Sequence, residues 1–176
     1  MLPKIEHKKD ALHKALKHLL KYTDTLEPSV LRAKKGAEWS AAQVLYHLWL
    51  SEKNTVKALK KRLDNLDARK EKAGLSATLR AYALHRALKN KRLKFKAPSI
   101  VADIPEKPDY TVLKSDYRTT RDELYKVLAL FDRETAGIAV FKHPRAGKIN
   151  IFQTLDFLQD HLDRHTGQIM RITKDL

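Results

Sequence analysis

Cysteine is absent from this 176-residue chain. That excludes disulfides and thiolate metal sites, and any catalytic thiol would have to arrive with a substrate. Glycine is scarce, at five residues, and none belongs to a phosphate-cradling loop. No Ser/His/Asp arrangement stands in a context that would mark a nucleophile. No run approaches the ~20 apolar residues that cross a bilayer. The N-terminal MLPKIEHKKDALHKALKHLL carries charge through every would-be apolar stretch, so neither a signal peptide nor a membrane partner is expected, and the expected location is the cytoplasm. Strand-like alternation and internal repeats are also missing. What remains is an all-α chain, expected to form one domain over 1–176 with a core of ordinary size.

Acidic residues are in deficit, 21 against 36 Lys plus Arg, for a net charge of +15. Such a surplus attracts anions over long range, yet it is spread along several helices with no aromatic-interleaved patch. Specific nucleic-acid recognition is not expected. Any binding to DNA should be weak, indifferent to sequence and lost as salt rises.

Apolar periodicity marks the helices. Ile5, Leu12, Leu16, Leu19 and Leu20 share a face over 3–26, and Glu27-Pro28-Ser29 ends that helix. Ser40 with Gln43 forms a capping-box pattern that opens a helix over 41–63. The stretch 64–108 is hard to read: a helix over 75–93 with a basic tail, then a proline-rich loop. Tyr110, Leu113, Tyr117, Leu124, Leu128 and Phe131 make a bundle-type seam over 109–131. After a loop over 133–148, Asn150 is placed to cap a last helix over 150–174.

That last helix carries His161 and His165 four residues apart, close enough on one face for both imidazoles to hold one metal ion. On a helical wheel they flank the stripe of Ile151, Leu155, Leu158, Leu162 and Ile169, while Asp156, Asp160, Asp163, Arg164, Arg171 and Lys174 gather on the far side. A third candidate, His47, lies among Val44, Leu45, Tyr46, Leu48, Trp49 and Leu50. Buried there, it needs either a carbonyl partner or a metal. Glu52 shares these surroundings and is expected either to orient a histidine or to pair with a surface lysine. His7, His13 and His18 fall on the outside of the first helix, and His85 has no evident partner.

Three features then coincide: Trp39-Ser40 opening a helix with His47 beyond it, His143-Pro144 with Gly147 before the last helix, and His161-x-x-x-His165-x-x-Gln168 within it. In this order they resemble the DinB/YfiT-like superfamily over nearly the whole chain. The resemblance implies a four-helix bundle with a long crossover between its second and third helices. It also implies a divalent metal held by His47, His161 and His165, zinc or nickel foremost. Three histidines leave a position open for water or substrate, the pattern of catalytic zinc. Relatives of this kind include transferases and isomerases that use low-molecular-weight thiols. The function implied is therefore thiol-dependent transfer or isomerisation of a small electrophilic substrate, or metal-assisted hydrolysis. A non-catalytic metal- or small-molecule-binding stress-response module is the alternative, and a homodimer is compatible with either. Gln168 stands as a candidate hydrogen-bond donor to substrate or ligand, or as a packing residue. His143 stands as a candidate acid–base group, or as a shaper of the turn before the last helix.

Overall fold

The computed structural model describes residues 1–65, 71–90 and 103–174. Its helices are α1 (Pro3–Thr23), α2 (Pro28–Arg32), α3 (Ala41–Leu63), α4 (Leu75–Lys89), α5 (Tyr110–Leu128) and α6 (Ile151–Thr173), with a short hairpin of β1 (Phe141–His143) and β2 (Gly147–Ile149) before α6. Apart from that hairpin, the regular structure among the described residues is all helical. The four long helices α1, α3, α5 and α6 form the bundle. Lys8 meets Asp156 near the start of both helices, and Tyr22 bonds Thr173 at 2.7 Å near their ends, so α1 and α6 run parallel. Tyr110, at the start of α5, meets Thr23 at the end of α1, so α5 runs against them. Lys60 reaches Glu123 and Trp49 donates to Thr120, which sets α3 alongside α5 and antiparallel to α6.

The starts of α3 and α6 are defined by reciprocal caps. Ser40 accepts from the Gln43 amide while Gln43 accepts from the Ser40 amide, and Asn150 and Gln153 do the same. Each cap satisfies two otherwise orphaned amides and so marks where the helix begins. The core between the helices is the expected set, with Ile5, Leu12, Leu45, Leu124, Leu155 and Leu162 essentially sealed from solvent.

Two features depart from the sequence reading, and a third lies partly beyond what is described. A short α2 occupies the connector expected over 26–37. The loop expected over 133–148 holds the two-stranded hairpin, with Phe141 opposite Ile149 and His143 opposite Gly147. The basic tail expected at the end of the 75–93 helix falls partly outside the described residues, and α4 is described to Lys89.

The crossover helix α4 packs outside the bundle, on α6, and polar groups anchor it there. Gln153 donates to Thr78, His85 bonds Asp160 at 2.5 Å, and Arg164 donates to the carbonyls of Leu88 and Asn90. Arg80 donates to the carbonyl of Ala146 in the hairpin turn. Gly147 in that turn has φ +76, and a Cβ there would stand 3.1 Å from the Arg80 guanidinium, so a side chain would be strained on both counts. The outer face of α4 leaves Leu75, Leu79 and Tyr82 exposed.

Candidate metal centre

His47, His161 and His165 converge. Each offers one ring nitrogen, and the three nitrogens lie within 4.8 Å of one another. His47 comes from α3, two turns past the Ser40 cap; the other two come from successive turns of the antiparallel α6. The Nε2 atoms of His47 and His161 are 3.2 Å apart. Ring centroids are separated by 5.1 Å for His47–His161, 5.0 Å for His47–His165 and 4.6 Å for His161–His165, all edge to face. His47 is 4 % exposed and His161 9 %.

This donor set fits a divalent ion. Two imidazole nitrogens on a tetrahedral centre at ~2.05 Å stand roughly 3.3 Å apart, close to the His47–His161 spacing. Neutral imidazoles suit zinc, nickel, iron or copper alike. Three histidines close together could thus hold a metal ion, and among the described residues no fourth His, Asp or Glu joins the group.

Burial also prepares the rings electrostatically. It is the largest cause holding His161 well below the ordinary histidine range, with His165 and His47 beside it adding to the effect. The same burial, helped by His47, brings His165 down to about 4. At neutral pH these rings are uncharged, the form that ligates metals.

The surroundings are aromatic. Trp39 packs on His47 at 5.3 Å, and Phe157 lies parallel to His161 at 5.4 Å. His143 also touches Phe157, 4.4 Å away and edge-on, and Phe141 stacks on Phe157 at 6.2 Å. His143 sits outside the group of three. Its Nδ1 accepts from the amides of Arg145 and Ala146, both at 3.1 Å, which ties the ring to the hairpin turn. Burial lowers it to about 4.

Gln168 lies one turn beyond His165, and its Oε1 pairs with His165 Nδ1 at 2.7 Å. The observed contact is thus to a histidine of the trio, with the amide NH2 left for another partner.

The remaining candidates have other occupations. Glu52 neither orients His47 nor meets a surface lysine. It takes a bidentate pair from Arg121 of α5, at 2.6 and 2.8 Å, both side chains being buried. Burial opposes the Arg121 charge, but Glu52 outweighs it and raises the group above its usual value. Asp160, placed by the wheel on the far charged side, is buried under α4, and desolvation raises its carboxyl. The wheel could not show this, because the helix that covers Asp160 lies outside the bundle. His7, His13 and His18 are exposed, and His13 faces the Tyr125 hydroxyl at 3.2 Å. Sequence reasoning missed Phe157 as a ring that touches both His143 and His161; its place on the same flank of α6 as His161 was the available signal.

No helix among the described residues is long and apolar enough to cross a membrane. Comparison with curated proteins and with solved structures gives no match in either set. The family profile of the DinB superfamily matches residues 11–169, a span that takes in most of the bundle, the hairpin and all three converging histidines, and the chain belongs to that superfamily.

Proposed function

We propose that the protein is a metal-dependent enzyme. In this reading His47, His161 and His165 hold one divalent ion, zinc or nickel, and the reaction is transfer or isomerisation with a low-molecular-weight thiol, or hydrolysis with water. The observation that supports it most is the convergence of three imidazoles from two antiparallel helices, His47 and His161 buried and His165 partly so, with His161 and His165 held low by desolvation. Such a set is nearly in place before any ligand arrives, and it supplies three donors where a closed structural site has four. A bound divalent ion would supply the acidity that makes a thiol, or a water, an anionic nucleophile at neutral pH. The lack of cysteine in the chain is in keeping with a thiol brought in as cosubstrate.

The chain's own residues have narrower tasks. Trp39, Phe141 and Phe157 keep bulk water from the histidines and offer an apolar wall to a small electrophile. With its Nδ1 taken by two amides, His143 keeps its proton on Nε2 at neutral pH, so it serves as a hydrogen-bond donor and not as a base.

Two measurements test the reading. Protein purified without a histidine tag should carry about one divalent ion per chain, lost on changing His47, His161 or His165 to Ala and kept in His7→Ala and His18→Ala. Equal loss in both groups would refute the ligand assignment. Loaded protein should then turn over small electrophiles with glutathione, bacillithiol or mycothiol, and His161→Ala should not. Thiol-independent turnover would select hydrolysis. Metal without turnover across a broad panel would select the binding-module alternative.

A further inference from the structure

We propose that Gln168 is a positioning residue that sets the tautomer of His165 and thereby makes His165 the ligand that receives the ion first. This inference rests on the reading of the histidine trio as a metal site, though its central measurement does not.

An imidazole binds a metal through a nitrogen that carries no proton, and the nitrogen left bare is decided by what the other one bonds. The Gln168 carboxamide oxygen, 2.7 Å from His165 Nδ1, is an acceptor only. The contact is favourable when Nδ1 carries the proton, which leaves Nε2 with a bare lone pair able to ligate. Were the amide reversed, its NH2 would donate to Nδ1 and the proton would move to Nε2, closing that nitrogen to a metal. One hydrogen bond therefore separates a ligating ring from a non-ligating one.

The other two rings are in a different state. At 3.2 Å, the Nε2 atoms of His47 and His161 bond each other only if one carries a proton and the other presents its lone pair. One of this pair must pass its Nε2 proton to its own Nδ1, through solvent, before both can ligate. His165 needs no such change. The three donors are unequal before any ion arrives: one is open, and two are tied together by a shared proton. An ion entering the site meets the bare nitrogen of His165 first and displaces the shared proton second. Gln168 lies one turn from His165 on the same helix, so the polarisation is built into α6 and survives movement of α3.

The test uses the full chain free of metal, with 15N-labelled histidine. Long-range proton–nitrogen correlation at pH 7.5 should show His165 protonated at Nδ1 and bare at Nε2. Gln168→Glu, which keeps an acceptor oxygen, should preserve that pattern, whereas Gln168→Leu should shift His165 toward the Nε2–H form. In competition with a chromophoric chelator, Gln168→Leu should bind zinc about 10- to 100-fold more weakly, chiefly through slower association, and Gln168→Glu should stay near the wild type. A purely packing role would predict the reverse order, with Leu tolerated and the buried charge of Glu harmful. A wild-type His165 protonated at Nε2 would overturn the proposal. Zinc bound equally well by wild type and Gln168→Leu would overturn the role of Gln168 alone, whereas no zinc binding by the wild type would overturn the metal reading itself.

Discussion

Acid should destabilise this protein in a definite window, because the fold holds histidines neutral that the unfolded chain would protonate. In the unfolded state His143 and His165 take a proton near 6.5; in the folded state burial delays this to about 4 in both. Between those values the unfolded chain binds more protons, so stability falls as pH falls. The loss begins near pH 6.5 and ends near pH 4, below which both states are charged. From pH 7 to pH 5, each of the two groups costs about 2 kcal/mol, or about 4 kcal/mol together. His161, held lower still, adds in the same direction, while Asp160, raised by burial, works against it. A loss of about 4 kcal/mol is a large part of the ~5–15 kcal/mol that ordinarily separates folded from unfolded protein. Urea titrations of metal-free protein at half-unit steps of pH would measure it. His143→Asn and His165→Gln, which cannot titrate, should each flatten the curve by about 2 kcal/mol over that interval. Stability that stays level from pH 7 to 5, or a decline of full size in both variants, would refute the argument. Saturating zinc should raise stability near neutral pH but leave the decline at least as steep and carry it below pH 4, since ligated rings stay unprotonated in the folded state.

Other tests bear on the scaffold. Glu52→Leu or Arg121→Met alone should cost about 3–5 kcal/mol by leaving one buried charge unpaired, whereas the double variant should lie near the wild type; chemical denaturation of the four proteins would decide. Asp160→Ala with Arg164→Ala should detach α4 before the bundle, seen as amide exchange rising over Leu75–Lys89 but not over Tyr110–Leu128; equal rises in both would place α4 inside the cooperative unit.

The bundle was legible because its signals are local. Ser40 with Gln43 announced the start of α3 to the residue, and the apolar steps of 109–131 located α5, which the structure bounds at Tyr110 and Leu128. The three histidines could be named from HxxxH spacing and an apolar neighbourhood, with the family resemblance joining His47 to the pair. The illegible parts depend on contacts between distant segments. Glu52 looked like a stray carboxylate because Arg121 stands 69 residues away. Asp160 looked solvated because nothing local reveals that α4 lies over it. The hairpin was missed because its strands are three residues each, too short for alternation to register.

The reciprocal caps on α3 and α6 have a consequence for insertions and deletions. A cap restarts the count of a helix wherever the preceding chain delivers it. Residues added between 24 and 39, or between 129 and 135, would be absorbed ahead of Ser40 and Asn150 without moving a ligand. One residue added between Ser40 and His47 would turn His47 by about 100° and carry it about 1.5 Å along α3, out of reach of its partners. The same holds between Asn150 and His165. Because the two helices run in opposite directions, their caps gauge the depth of the site from opposite ends of the bundle, and a change in one interval cannot be offset by an equal change in the other. Length is therefore free in the connectors and frozen in two short intervals, 40–47 and 150–165, where alanine insertion should erase metal binding while leaving helix content intact.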